Sequence, residues 1–366
     1  MKPIAPPRRV LLVSLRYLGD GLLSTPLARA MRRRWPQCSV DVLVFAGTEG
    51  MFEGNPDIAR VIAVPEAAPA ADTLRRVSAL WNTYDLAVVG QTGTRPFLFG
   101  WAAARRAVGL VGADRRKSWW KRALLDRSAV LDEHAPRVLQ NQRVAELLGI
   151  DEPPVVVPPS AGWTPEDISR ALGFDISRQR FAVVHPSPRR RYKQWTGEGW
   201  QALIRALAAQ GLRVVVTSGP GASERAYLDG VLRGLPASLA RRIEEPWTLA
   251  QTADVLRLAS LYVGPDTATT HLAAACGTPT VALFGPTDPV IWGPWPVRDG
   301  APYARVAAQQ RRGNVLLLQN PDLACVPCQL EGCDRHRESH SECLDRLPAE
   351  RVIDASDLLL KDAPRR

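Results

Sequence analysis

Residues 263–289, VGPDTATTHLAAACGTPTVALFGPTDP, limit the folds open to this chain more than any other stretch. Leu261-Tyr262-Val263 reads as the tail of a buried strand, which Gly264-Pro265 breaks. Asp266, Thr267, Thr269 and Thr270 then crowd the place where a helix should begin, because their side chains can accept from unpaired backbone N–H groups. His271 falls in the first turn, and Ala273-Ala274-Ala275 lets the helix pack closely on its sheet. Thr280-Val281-Ala282-Leu283-Phe284 is the next buried strand, closed by Gly285-Pro286. A helix start presents free N–H donors and the positive end of the helix dipole, a natural seat for phosphate. The stretch therefore reads as an anion site at the carboxyl edge of a parallel sheet.

Similar units recur on either side. Residues 9–15 (RVLLVSL), 40–45, 61–64 and 86–89 have the apolar, β-branched character of buried strands. Helical spacing runs through residues 22–35, with Leu23, Leu27, Ala30 and Met31 on one face, and through 74–81. A proline-rich run, Glu152-Pro153-Pro154 to Pro158-Pro159, reads as a linker. After it the alternation restarts: strand 181–185, helix 199–210, strand 213–218, helices 223–232 and 249–259, then the stretch above and a final helix over 349–360. Single cores rarely grow past roughly 250–300 residues, so 366 residues imply two domains. The expectation is an α/β protein of two doubly wound, Rossmann-like domains with a cleft between them. Domain boundaries fall at 1–158 and 159–348, with 349–366 as a terminal helix and tail.

The net charge of +10 is unevenly placed: residues 1–150 hold 22 Lys/Arg against 13 Asp/Glu, the rest 25 against 24. The basic half leaves nucleic acid, anionic lipid and phosphorylated glycan open as partners. Arg16 ends the apolar run at 10–15 too early for a secretory signal, and no apolar run reaches the roughly 18 residues needed to span a bilayer. The chain reads as cytoplasmic.

Candidate chemistry gathers in loops that follow strands. The first, Ser14-Leu15-Arg16-Tyr17-Leu18-Gly19-Asp20-Gly21, lacks the G-x-G-x-x-G fingerprint of dinucleotide enzymes. It carries a carboxylate instead, Asp20, either a general base or the N-cap of a helix starting at Leu22. A second loop, HPSPRRRYKQW from His185 to Trp195, is densely cationic and reads as a phosphate binder or a solvated loop. Lys193 is the favoured member because Trp195 beside it can anchor the segment. In the third loop, Gly219 and Gly221 permit close backbone approach and Glu224 can hydrogen-bond a ribose or base. A plain strand-to-helix turn fits that loop equally well.

In order along the chain, Leu18-Gly19-Asp20 with Ser24-Thr25-Pro26, Asn55-Pro56, His185…Lys193-x-Trp195, Asp266-Thr267…His271 and Phe284-Gly285-Pro286-Thr287-Asp288-Pro289 resemble glycosyltransferase family nine. These are the ADP-heptose:lipopolysaccharide heptosyltransferases, and the resemblance spans roughly residues 9–350. It implies a GT-B fold and an inverting transfer of heptose from ADP-heptose to a lipopolysaccharide core or other lipid-linked sugar. Asp20 would be the catalytic base, and Lys193 with Thr267, Ala268, Thr269 and Thr270 would hold the donor diphosphate. Asp266 and His271 would complete the donor site, and Glu224 would touch the adenosine. Ala268 stands where the family has glycine, and a positive φ there would strain an L-residue. No metal-ligand pattern accompanies these motifs, so Lys193 and the helix start are assigned the stabilisation of the departing diphosphate.

Arg115, Arg116, Lys117, Trp119, Trp120, Lys121 and Arg122 form an aromatic cluster flanked by cations. That pattern suits an amphiphilic acceptor or the inner face of the cytoplasmic membrane, with the protein peripheral to it. The alternative is an amphipathic helix with its tryptophans in the core. Cys38 and Cys276 lie in apolar segments and read as core. Cys325, Cys328, Cys333 and Cys343, with His336 and His340 between, are candidate ligands for a structural zinc, though the spacing is irregular and no cofactor is required for the reaction. Two other functions fit the sequence: the same fold with another nucleotide sugar, a protein or a different glycan, and a nucleic-acid-binding protein without a recognised binding motif.

Overall fold

Short runs of valine, leucine and alanine, each ended by a turn, build the strands of two separate sheets. In the computed structural model, which describes residues 5–362, the chain divides into two compact units, Met1–Pro159 and Ser160–Arg366. The first unit runs β1 (Arg9–Ser14), α1 (Leu18–Leu22), α2 (Thr25–Arg34), β2 (Ser39–Phe45), β3 (Arg60–Val64), α3 (Ala70–Ala79), β4 (Leu86–Val89), α4 (Thr94–Ala103), β5 (Ala107–Val111), α5 (Arg115–Leu124), β6 (Arg127–Val130) and α6 (Arg137–Leu147). Its strands are all parallel, in the order β3-β2-β1-β4-β5-β6. Val10 faces Val40 of β2 on one side and Leu86 of β4 on the other. The chain thus reverses its winding between β1 and β4, and such switch points open a crevice at the carboxyl ends of the strands.

Helices cover both faces of this sheet. On one, α2 packs against α6; on the other, α4 lies over β1 and β4 with α3 beside it. Gly100 sets how near α4 can come, because a Cβ there would stand 2.3 Å from a Val89 methyl.

The second unit runs α7 (Pro165–Leu172), β7 (Phe181–Ser187), α8 (Gly197–Ala209), β8 (Arg213–Ser218), α9 (Ala222–Leu232), β9 (Ala240–Arg242), α10 (Leu249–Leu258), β10 (Leu261–Pro265), α11 (Ala268–Ala275), β11 (Thr280–Leu283), α12 (Pro289–Trp292), β12 (Gln309–Arg312), β13 (Val315–Leu318), α13 (Glu342–Asp345) and α14 (Ala349–Asp362). Its sheet has the order β12-β13-β11-β10-β7-β8-β9, parallel except for the β12–β13 hairpin. The switch point here lies between β7 and β10. Each unit is therefore a doubly wound, Rossmann-like layer, as the alternation of strands and helices implies. The terminal helix α14 belongs to the second unit, packing on α8 and over β10, β11 and β13 with Val352, Ala355 and Leu359 buried.

Two local expectations fail. The single helix over 22–35 is two: α1 ends at Leu22, and α2 starts at Thr25 with Pro26 in its first turn. Proline fits a first turn but breaks a helix interior, because it lacks an N–H and clashes with the preceding turn. Asp20 consequently lies inside α1 and caps nothing. Likewise Gly264-Pro265 does not break the strand, since β10 continues to Pro265, which pairs in register with Leu283 of β11.

Candidate active site

In the first unit the carboxyl ends of β1 and β4 open onto a small pocket whose polar lining includes Ser14, Arg16, Asp20, Gln91 and Arg137. Asp20 is held there by α1, with only 11% of its side chain exposed. The Nε of Arg137, first residue of α6, stands 3.4 Å from Asp20 Oδ1. Burial raises the Asp20 carboxyl above its ordinary range, while the charges of Arg16 and Arg137 pull it back down. Burial lowers the Arg137 pKa in turn, with Asp20 opposing. Such a carboxylate is a stronger base than a solvated one, yet two neighbouring cations favour its ionised form. Arg137 is absent from the sequence-derived list. It lies far along the chain from Asp20 and reads there as an ordinary helix residue.

In the second unit the corresponding crevice gathers the motif residues of β7 and β10. His185 is buried at the end of β7, its Nδ1 2.9 Å from Thr217 Oγ1, and burial lowers its pKa to about 4. Beyond β7, a 3-10 turn (Arg191–Lys193) delivers Lys193, whose Nζ donates to Asp266 Oδ2 at 2.5 Å. Burial alone would lower the Lys193 pKa, but the charge and hydrogen bond of Asp266 override it and the net direction is up. Burial works the other way on Asp266, where Lys193 and His271 bring the carboxyl below its ordinary range. The Thr287 hydroxyl also hydrogen-bonds Asp266, which gives a role to the threonine of the Phe284–Pro289 motif. His271 Nε2 lies 3.9 Å from Asp266 Oδ1, and burial lowers its pKa despite that neighbour. Its Nδ1 is buried without a hydrogen-bond partner among the described residues.

The loop bearing Lys193 is pinned from the far end of the chain. Trp195 is buried edge-on against Trp200, with ring centroids 4.9 Å apart, a geometry worth about 0.5–1.5 kcal/mol beyond the area it buries. Its indole Nε1 donates to the Leu347 carbonyl at 2.9 Å, and Ser341 Oγ donates to the Tyr192 carbonyl at 2.6 Å.

Helix α11 starts at Ala268, with Thr267 as N-cap accepting from the Thr270 N–H. Ala268 is not among the described residues with positive φ, so the alanine carries no backbone strain. Thr267 and Thr269 are half-buried, whereas Thr270 is fully buried. The Thr270 hydroxyl donates to the Pro265 carbonyl and lies 3.0 Å from the Tyr262 hydroxyl. That side chain therefore braces the strand-to-helix turn and is not a diphosphate ligand, which corrects its sequence-derived role. Glu224 turns back within its own helix start, its Oε2 accepting from the Gly221 N–H at 3.0 Å.

The cationic-aromatic segment forms α5, capped by Asp114, which accepts from Arg116 N and Lys117 N. Arg115, Arg116, Lys117 and Trp119 face solvent. Lys121 does not: it is buried and donates to the Thr92 carbonyl at 2.6 Å. Trp120 packs edge-on against Phe97 with centroids 4.9 Å apart, and Arg122 binds back to Gly112 O and Ser118 Oγ. The proposed surface thus loses Trp120 and Lys121 to the unit's own packing, the one against Phe97 and the other on the Thr92 carbonyl.

All six cysteines are free. Cys38 and Cys343 are buried, and Cys325, Cys328 and Cys333 lie near enough to Cys343 to act on its charge. Among the described residues no three His, Cys, Asp or Glu side chains are gathered so as to hold a metal ion. No helix among them is long and apolar enough to cross a membrane.

Comparison with known proteins adds an independent line. A family model, "Glycosyltransferase family 9 (heptosyltransferase)", matches residues 74–317. Lipopolysaccharide heptosyltransferase 3 of Escherichia coli K12 is 26% identical over 362 residues, covering 96% of this chain and 98% of that one. Lipopolysaccharide heptosyltransferase 2 of Salmonella typhimurium is 22% identical over 309 residues, or 77% of this chain and 84% of its own length. The fold matches that of a family 9 glycosyl transferase from Veillonella parvula with a TM-score of 0.76 at 16% identity, covering 97% of this chain and 98% of that one. E. coli ADP-heptose LPS heptosyltransferase II gives a TM-score of 0.74 at 18% identity, covering 96% and 98%.

Proposed function

The chain belongs to glycosyltransferase family 9, the heptosyltransferases, and from that membership we propose that it transfers a heptose from ADP-heptose to a lipopolysaccharide core acceptor with inversion at the anomeric carbon. The observation that carries this reading is the buried Lys193–Asp266 pair beside the start of α11. It sets a fixed ammonium and free helix N–H groups together at the carboxyl end of β10, where a diphosphate is well stabilised.

On this reading the first unit supplies the base and the second the donor seat. Asp20, as carboxylate, takes the proton of the acceptor hydroxyl while that oxygen bonds to the heptose C1. The bond from C1 to the diphosphate oxygen breaks at the same centre from the opposite side, and ADP departs with the electron pair. Charge on the leaving diphosphate grows as this bond breaks, so Lys193 and the N–H groups at Ala268 and Thr269 act on the transition state more than on the ground state. Asp266 fixes Lys193 in place and keeps it charged. Glu224, at the start of α9, is assigned to the adenosine. The reaction belongs at the cytoplasmic face of the inner membrane, where a nucleotide-activated donor can meet a lipid-anchored acceptor.

Measuring ADP release and product mass with ADP-heptose, UDP-glucose and UDP-N-acetylglucosamine, each with a truncated lipopolysaccharide acceptor, tests the assignment. Transfer from ADP-heptose alone is expected. Turnover with a uridine sugar and none with ADP-heptose would overturn the donor. In the Asp20→Asn variant transfer falls at least a hundredfold while ADP still binds, and a wild-type rate there would remove Asp20 from the mechanism.

A further inference from the structure

Gln91 lies just past β4, across the winding reversal of the first sheet from Asp20. Its side chain is 5% exposed and lines the same small pocket as Asp20 and Arg16. Its amide oxygen, Oε1, is buried without a hydrogen-bond partner among the described residues. Folded proteins pair nearly all their buried polar atoms, so an orphaned carbonyl lining a pocket marks where a ligand's donor belongs.

The pocket also holds two guanidiniums to a single carboxylate. Arg137 is engaged: its Nε stands 3.4 Å from Asp20 Oδ1, and Glu133 acts on its charge as well. Arg16 is different. It is half-buried, and its side chain makes no ion pair and no hydrogen bond among the described residues. Glu66, on the loop past β3, accepts from the Tyr17 hydroxyl at 3.3 Å and not from Arg16. The Arg16 charge instead draws the Asp20 carboxyl down. For a general base this is a handicap, because whatever favours the carboxylate weakens its hold on a proton. A second cation beside the base is useful only if the acceptor brings an anion to it.

We propose that Arg16 and Gln91 select the acceptor: Arg16 holds an anionic substituent of the acceptor sugar, a phosphate or a carboxylate, while Gln91 accepts from a hydroxyl beside the reacting one. This role rests on the proposed transfer, with Asp20 as its base. It couples binding to basicity. The bound anion cancels the pull of Arg16 on Asp20 and adds its own repulsion, so the carboxylate takes the hydroxyl proton more readily. A neutral sugar leaves that pull in force and meets a weaker base. The pocket is small, which suits the substituents of a sugar ring and not the ring itself.

The test uses a truncated lipopolysaccharide oligosaccharide in three forms: untreated, stripped of phosphate by hydrofluoric acid, and with its carboxylates reduced to alcohols. Affinity is read by calorimetry without donor, and turnover with ADP-heptose. The untreated form should bind at least tenfold more tightly than one treated form, and the treatment that weakens it tells phosphate from carboxylate. In Arg16→Gln this preference should shrink to within about twofold, and Arg16→Lys should restore most of it. On the weakened form Arg16→Gln should have a kcat at least equal to the wild type's, because the pull on Asp20 is gone; a merely structural arginine would lower it. Gln91→Leu should weaken all three forms at least fivefold while ADP affinity stays within about twofold. Arg34→Gln, at the exposed end of α2, should leave every value within about twofold. Equal binding of the three forms by the wild type, or no binding of any, overturns the proposal. So does a preference that survives Arg16→Gln, and unchanged affinity in Gln91→Leu overturns the hydroxyl contact. An Arg16-dependent preference in binding with no transfer from ADP-heptose would uphold this subsite and overturn the donor. Transfer from ADP-heptose without any preference would do the reverse.

Discussion

Lys193 Nζ and Asp266 Oδ2 stand 2.5 Å apart, joining the loop after β7 to the turn after β10 across the point where the second sheet reverses its winding. Neither side chain alone would be stable there as an ion. Together they fix a charged ammonium beside a helix start, and His271 and Thr287 hold the carboxylate from its other sides. Removing one partner leaves the other charge uncompensated.

Replacing Lys193 by methionine is therefore expected to act twice. Stability falls by about 3 kcal/mol, the low end for a buried pair because 23% of the lysine side chain is exposed. ADP binding weakens at least tenfold, as read by calorimetric titration below the new melting temperature. Wild-type ADP affinity in the variant would take Lys193 out of the donor seat.

Arg137 is expected to set the acid limb of the rate profile. Burial raises the Asp20 carboxyl, and Arg16 and Arg137 oppose that shift, while Glu133 is a further acidic group acting on Arg137 after Asp20 itself. Removing the guanidinium disfavours the carboxylate, so its pKa rises and activity is lost earlier as pH falls. In Arg137→Leu the acid limb of kcat/KM moves to higher pH, and Arg137→Lys moves it back. An unchanged limb would mean that Arg137 only packs.

His185 makes stability pH-dependent. Its folded pKa is depressed to about 4 from an ordinary 6.5, so the unfolded chain takes up the proton first. Its contribution is fully present above pH 6.5 and drains away as pH falls towards 4. Between pH 7.5 and 5 the wild type should lose about 2 kcal/mol more than His185→Gln, measured by urea unfolding at each pH. Parallel losses in both proteins would contradict this.

Ala268 tests the meaning of a departure from the family pattern. Its backbone lies outside the positive-φ region, in the first turn of α11. Ala268→Gly should therefore leave ADP affinity within about twofold and lower stability by less than about 1 kcal/mol. A tenfold gain in ADP affinity would instead show that the methyl group crowds the ligand.

The frame of the fold is legible because it rests on signals that neighbouring residues carry. Valine-rich runs such as Leu86–Val89 and Arg213–Ser218 announce buried parallel strands wherever they stand. Ala107–Val111 and Arg127–Val130 give a weaker signal and escape notice, the one interrupted by glycine and the other an edge strand with only partly buried side chains. Pro26 does carry the signal that splits the first helix, and helical spacing around it masks that signal. Within the site, Asp20, Lys193 and Asp266 can be named from motifs, whereas Arg137 cannot. Its partner lies 117 residues away, and only the winding of the sheet brings the two together. The inward turn of Lys121 depends on a carbonyl 29 residues away that no local pattern encodes, whereas the Thr270 hydroxyl finds its carbonyl five residues back, at Pro265, once the strand-to-helix turn forms.

The hydrogen bonds from Trp195 to Leu347 and from Ser341 to Tyr192 set an order of events during synthesis. The ribosome makes the lysine loop long before it makes the segment that fastens it. Until residues 341–347 have left the exit tunnel, that loop has neither of these two hydrogen bonds, so the nucleotide seat is finished only after a wait of about 150 residues. A chain truncated before Ser341 would keep its first unit whole and leave Lys193 on a loop without either fastening.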